Sequence, residues 1–232
     1  MNAHRDLTTA APAPTQPMAT VDGGSSATAV GLKDRAIAAD PSPARRPSAS
    51  RASMMVLAAT AVAVLAAVLR LWNLNALGFN SDEAVYVGQA AAIAGDPALR
   101  GLFPVFRAHP LLFQMAISLI YRVQVSDLAP RLLAVAFGLG TVLAGYAAAA
   151  RIYGRRAGMV AALLLAAMPY LVVVNRQALL DGPMTFFSVI ALWLLARFAA
   201  EGRRRMLYAA GAALGLAFIS KETSVVLIPA AY

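Results

Sequence analysis

Cysteine is absent from the 232-residue chain, which excludes a disulfide framework and any thiolate-held metal. Histidine is confined to His4 and His109, too few for a His-rich metal cluster. Charge is scarce as well. Charged residues make up 13% of the chain and hydrophobic residues 60%, where a soluble domain has about 25% and about 45–50%. That imbalance excludes an ordinary soluble fold and indicates an integral membrane protein. The net charge of +9 does not mark a nucleic-acid partner, because the arginines fall in short clusters between apolar segments rather than along one face. In a membrane protein such clusters mark cytoplasmic loops.

What is present is arranged in segments. Residues 1–53 are rich in Ala, Pro, Ser and Thr, with PAPTQP, DGGSSATA and PSPARRPSAS. They lack hydrophobic periodicity and cannot bury enough apolar surface to offset ordering entropy, so they read as a disordered cytoplasmic tail. The apolar run at 54–72 begins too late for a cleaved signal peptide and lacks its small-x-small site. It predicts a signal-anchor helix of about 28 Å. Further runs predict spans at about 132–150, 157–174, 184–200 and 206–232. Between the first two spans lies PLLFQMAISLIY, residues 110–121. It is too short for an ordinary span and reads as an interfacial segment.

Charge orders these segments across the bilayer. Arg45, Arg46 and Arg51 precede the first span and hold the N-terminus in the cytoplasm. If residues 110–121 crossed, the clusters Arg151, Arg155, Arg156 and Arg203, Arg204, Arg205 would both lie outside, against the positive-inside rule. With that segment in the interface, both fall inside. Residues 73–130 then form one external loop, residues 175–183 a second, and Asp82, Glu83, His109 and Asp181 share a side.

Within the long loop, FNSDEAVYVGQAAAIAGD (residues 79–96) predicts a helix to about Ala94, ended by Gly95-Asp96-Pro97. Asn80 and Glu83 have capping-box spacing. By local pattern Asp82 and Glu83 are first-turn acids that complement the helix dipole. The alternative is a helix on the membrane face, with Asp82, Tyr86, Gln89 and Ile93 on one side and the carboxylates at headgroup level. His109 reads as a ligand, a phosphate partner or an interfacial residue. Asp181, two residues ahead of Pro183, reads as a helix N-cap. Arg176 is an external arginine that runs against the charge bias, placed to pair with Asp181 or to bind an anionic head group. Lys221 and Glu222 interrupt the last apolar stretch, either as a costly intramembrane pair or at a join between two short helices.

In order along the chain come RLWNL…FNSDEAVYVGQAA, a His-Pro-Leu segment, APRLLAVAFGLGTVLAGYAAAARIYGRRAG, VNRQALLDGPMTFF and GLAFISKETSVVLIP. From about Arg70 onward this order resembles the dolichyl- and polyprenyl-phosphate-mannose protein mannosyltransferase superfamily, with its bacterial aminoarabinose and mannose transferase relatives. The resemblance implies the N-terminal half of a multi-span membrane glycosyltransferase of the GT-C fold, which takes a sugar from a lipid phosphate at the external face. It implies that Asp82 matches the family's essential acid, with Glu83 beside it, and that His109-Pro110 matches a His-Pro-Pro element in which Leu111 replaces the second proline. Asp181 falls where some members carry a metal-binding acid, so a divalent metal ion is implied there.

The fold expected is all-α, a polytopic transmembrane helix bundle of GT-C type with external amphipathic helices in the first loop. The reaction expected moves mannose or a related sugar from a polyprenyl-phosphate donor to a hydroxyl of a protein, lipid or glycan acceptor. Asp82 and Glu83 are the catalytic candidates, with Asp82 as general base. Arg107, His109, Arg176 and Lys221 are the substrate-binding candidates, since a leaving lipid phosphate needs a counter-cation. A multi-pass protein of a bacterial cell membrane fits the high Ala and Arg content. Two other classes compete: a transporter-like protein, against which the lack of internal repeats argues, and a non-catalytic subunit or fragment. The latter is suggested by a chain that stops inside an apolar stretch.

Overall fold

Long apolar runs with few helix breakers leave the backbone one way to satisfy its own hydrogen bonds in lipid, the α-helix. The computed structural model describes residues 49–104, 110–226 and 229. Arg107 and His109 lie outside the described residues, as does the expected tail up to residue 48. Among the described residues every regular element is helical. The elements are α1 (Ala49–Leu71), α2 (Ser81–Ala94), α3 (Pro97–Leu102), α4 (Leu112–Tyr121), α5 (Leu128–Tyr153), α6 (Arg155–Ala167), α7 (Pro169–Val174), α8 (Asp181–Glu201) and α9 (Arg204–Ser220). The all-helical bundle is the fold that the sequence predicts.

Three helices are long and apolar enough to cross a membrane: Ser53–Leu71 within α1, α5 and α8. Helix α1 shows why lipid is its solvent. Val56, Leu57, Val64 and Val68 are exposed, while Ala66 and Arg70 are buried. A helix apolar on all sides that leaves its large side chains outside is stable only against hydrocarbon. Helix α4 has 10 residues, about 15 Å, half of what a crossing needs.

Two expected spans differ from the structure. The run at 157–174 is divided into α6 and α7, because Pro169 lacks an N–H and pushes Met168 out of the helical region, to φ −60° and ψ 115°. The run from 206 onward stops at Ser220, where Lys221 turns extended. A 3₁₀ turn at Glu222–Val226 follows. Lys221 therefore sits at the end of one short helix, the second of the two alternatives.

Tight turns reverse the chain between α5 and α6 and between α8 and α9. Both turn on glycines with positive φ, Gly154 at 91° and Gly202 at 65°, where a side chain is strained. The two turns share one end of the bundle, since Arg151 and Glu201 approach to 3.8 Å. At the opposite end gather the end of α1, the starts of α2, α5 and α8, and the end of α9. Helices α2 and α4 pack there over a core of Val87, Ala90, Ala91, Phe113, Ile117, Ala134 and Leu180.

Two arginines, Arg70 buried and Arg176 half-buried, tie α1 to the α6–α7 segment. Arg70 donates to the Ala166 and Leu165 carbonyls at the end of α6, each at 3.0 Å. Arg176, beyond α7, donates to Leu69 at 3.0 Å and Trp72 at 2.8 Å at the end of α1. Each guanidinium thus satisfies carbonyls that a helix C-terminus leaves open.

Candidate active site

The site end is built outward from Asn80. Its side chain accepts from the Glu83 N–H at 2.9 Å, and the Asn80 N–H donates to Glu83 Oε2 at 3.2 Å. This is the capping box that the spacing predicts, and caps of this kind are worth about 1 kcal/mol. It points the Glu83 side chain into the bundle, where it is 1% exposed. There Arg131, near the start of α5, meets it with two parallel bonds of 3.0 Å, Nε to Oε1 and Nη2 to Oε2. The Ala178 N–H donates to Oε1 at 2.8 Å. Burial pushes the Glu83 carboxyl up, but Arg131 and the Ala178 and Asn80 amides outweigh it and hold it below the usual carboxylate range.

Arg131 spends its remaining donors on the connection between α1 and α2. They reach the carbonyls of Leu74 at 3.2 Å, Leu77 at 2.7 Å and Gly78 at 3.0 Å. Its guanidinium also lies 4.9 Å from the centre of the Phe79 ring, a cation–π distance. The Glu83–Arg131 pair therefore fixes α2, α5, the 74–78 segment and the 175–180 turn together. Gly138 lets that turn approach α5: a Cβ there would lie 2.6 Å from Asn175 Cγ.

Asp82 has the opposite fate. One helix position away, its side chain is exposed and forms no hydrogen bond or ion pair among the described residues. Its charge acts on Tyr86, one turn on. Burial, then the charges of Asp82, Asp181 and Glu222, push the Tyr86 hydroxyl up, so it stays a neutral donor beside three carboxylates. Asp181 is not the N-cap of α8. It is the first helical residue, and both its oxygens accept from Lys221 Nζ, at 2.9 and 3.0 Å. That ion pair joins the start of α8 to the end of α9.

Arg176, which lines an open cavity of about 610 Å³ with Trp72, Phe79, Asn80, Glu83 and Arg131, does not pair with Asp181. Its Nη atoms bind the α1 carbonyls instead. Gln89 is not on an exposed face with Asp82: it is buried, donates to the Pro104 carbonyl at 3.5 Å and accepts from Gln114 Nε2 at 3.3 Å. The side of α2 that carries Gln89 packs on α4 rather than lying on a surface.

The expected metal at Asp181 can be tested against these donors. Among the described residues no group of three or more His, Cys, Asp or Glu gathers as ligands, and both Asp181 oxygens are taken by an ammonium. The described residues do not fit a metal ion.

Of the expected site residues, Asp82, Glu83, Asp181, Lys221 and Arg176 gather at one end of the bundle, on two sides of the start of α2. Glu83 and Arg176 face the cavity; the charges of Asp82 and Asp181 act on Tyr86, and Lys221 is paired with Asp181. Arg131 and Tyr86 were not expected as site residues. The signal for Arg131 lies in APRLLAV, where a guanidinium enters an apolar helix and must find a partner.

A family model described as dolichyl-phosphate-mannose-protein mannosyltransferase matches residues 108–232, more than half of the chain. The chain belongs to this family. In general terms it is a membrane glycosyltransferase of the GT-C type. The matched region includes Arg131, Asp181 and Lys221 and begins after α2. No curated protein and no solved structure matched the chain.

Proposed function

We propose that the chain moves a sugar, mannose or a related hexose or pentose, from a polyprenyl-phosphate donor to the hydroxyl of a protein, lipid or glycan acceptor. The site end is the external face, and the arginine-rich turns are cytoplasmic, in accord with the positive-inside rule. The order of crossings proposed is the one expected from the sequence, with the 73–130 loop outside and with α6–α7 and the shorter α9 in place of two of the expected spans.

The observation that carries this is the split between adjacent carboxylates. Glu83 has donors on both oxygens and no capacity left for a substrate. Asp82 is presented to solvent by that same anchored turn, with its lone pairs open. In the proposed step the acceptor O–H gives its proton to Asp82 as its oxygen attacks the sugar C1. The C1–O bond to phosphate breaks, the electron pair leaves with the polyprenyl phosphate, and the configuration at C1 inverts. Glu83 is thus a positioning residue rather than a catalytic one.

The charge that develops on the leaving phosphate needs a fixed cation. Lys221 is held on the Asp82 side by Asp181, and we assign it that role. Arg176 shapes the cavity wall through its bonds to α1. Arg107 and His109 fall outside the described residues and carry no part of this assignment.

The test is to incubate membranes containing the full-length protein with labelled polyprenyl-phosphate mannose. Label should pass to an acceptor that protein-free membranes leave unlabelled. Hydrolysis of the donor with no acceptor labelled, or no consumption of any polyprenyl-phosphate sugar, would contradict the proposal.

A further inference from the structure

The far end of the bundle carries a pair of features that the transfer reaction does not use. An apolar groove of about 380 Å³ runs between α1, α5 and α6, lined by residues that include Ala63, Ala66, Leu139, Val142, Tyr146 and Met159. On α1 its lining extends from Ala59 to Ala66, about 10 Å at the helical rise. It starts about 9 Å inside the Ser53 end of the span and ends about 20 Å from that end, about three quarters of the way across. The groove therefore opens at hydrocarbon depth and straddles the middle of the span, with its Tyr146 and Met159 end toward the α5–α6 turn.

Beyond its Tyr146 and Met159 end come Arg151, Arg155 and Arg156, all exposed. From Met159 back to Arg155 is about 6 Å along α6, the step from the hydrocarbon edge to the headgroup layer. Among the described residues the acid at this end is already engaged: Glu201 is bound by Arg197 at 3.0 Å and approached by Arg151 at 3.8 Å and Arg203 at 3.6 Å. Arg155 and Arg156 have no acidic partner among the described residues. Exposed Tyr153, 77% accessible, is the residue type that settles at the membrane–water interface.

We propose that this groove binds an anionic phospholipid, with one acyl chain between α1, α5 and α6 and its phosphate on Arg155 and Arg156. Basic residues at the mouth of a slot between helices are the recognised chemistry for acidic head groups. A neutral lipid or an apolar helix from a second copy matches the groove but not the guanidiniums. The site lies at the other end of the bundle from Asp82 and is independent of the donor lipid.

The test uses the full-length protein, purified in detergent and stripped of lipid, then titrated with phosphatidylglycerol and with phosphatidylcholine under native mass spectrometry. Wild type should retain phosphatidylglycerol with a preference of roughly tenfold to thirtyfold, two arginines each contributing at the membrane surface. The double variant Arg155→Gln/Arg156→Gln should lose the preference and keep the weak phosphatidylcholine binding. Ala63→Phe, which fills the groove, should weaken both lipids. Equal retention of the two lipids by wild type overturns the proposal without any variant. So does a preference that survives the double arginine change, or a stable dimer that retains neither lipid.

Discussion

Replacing Arg131 by methionine isolates the contact on which the site end depends. The change removes both 3.0 Å bonds to Glu83 and leaves its carboxylate buried, in a pair whose side chains are 5% and 1% exposed. Deleting one member of a buried ion pair costs about 3–5 kcal/mol, because the surviving charge has lost its partner and gained no water. The carbonyls of Leu74, Leu77 and Gly78 also lose a donor. Those residues line the open cavity, so water replaces it and adds little to the loss. At about 2–4 °C per kcal/mol for a chain of this size, the melting temperature should fall by about 6–20 °C. The assay is thermal unfolding of the full-length protein in a single detergent. The double variant Arg131→Met/Glu83→Met leaves no charge behind and should recover a substantial part of the loss. A single variant that melts within about 2 °C of wild type, or a double variant no better than the single, refutes the reasoning.

Acid should act through the same pair. The Glu83 carboxyl is held below its usual range, so its contribution to stability is present above about pH 4.3 and is lost as pH falls through the lower folded value. Melting temperatures measured from about pH 6 to about pH 3 should therefore fall more steeply for wild type than for Glu83→Gln; parallel curves would argue against it. Gly138→Ala places a methyl group against Asn175 and should cost about 1–3 kcal/mol by overpacking, read as a lower melting temperature; no change would mean that Asn175 moves aside freely. Lys221→Met strips the ammonium from Asp181 and should cost about 1–3 kcal/mol and suppress transfer. Lys221→Arg should restore most of the melting temperature; failure of the charge-preserving change to do so would weaken the ion-pair assignment.

Much of this end of the molecule is legible in the residues. Asn80 and Glu83 announce their capping box because an N-cap works through fixed local spacing. The ends of α2 follow from Asn80, Gly95 and Pro97 for the same reason. Long apolar runs announce α1, α5 and α8, since hydrocarbon thickness sets their length. Non-local partnerships are not written in spacing. Nothing in the order of residues couples Arg131 to Glu83, 48 positions away, or Lys221 to Asp181, 40 positions away. Of the two partners that the sequence offers Arg176, Asp181 or an anionic head group, the first is not taken, because the open carbonyls at the end of α1 hold the guanidinium. The break at Met168 was visible in Pro169, but hydropathy averaged it into a continuous run.

In the proposed reaction one carboxylate of the Asp82–Glu83 pair does the chemistry while the other holds the fold. The most direct measurement is single-turnover transfer from labelled polyprenyl-phosphate mannose by the Asp82→Asn protein, with its melting temperature recorded in the same preparation. Transfer should fall by at least about a hundredfold, the ordinary scale of a general base, with a melting temperature equal to that of wild type. Turnover near the wild-type rate, or a loss of activity matched by a loss of stability, would contradict that division of roles.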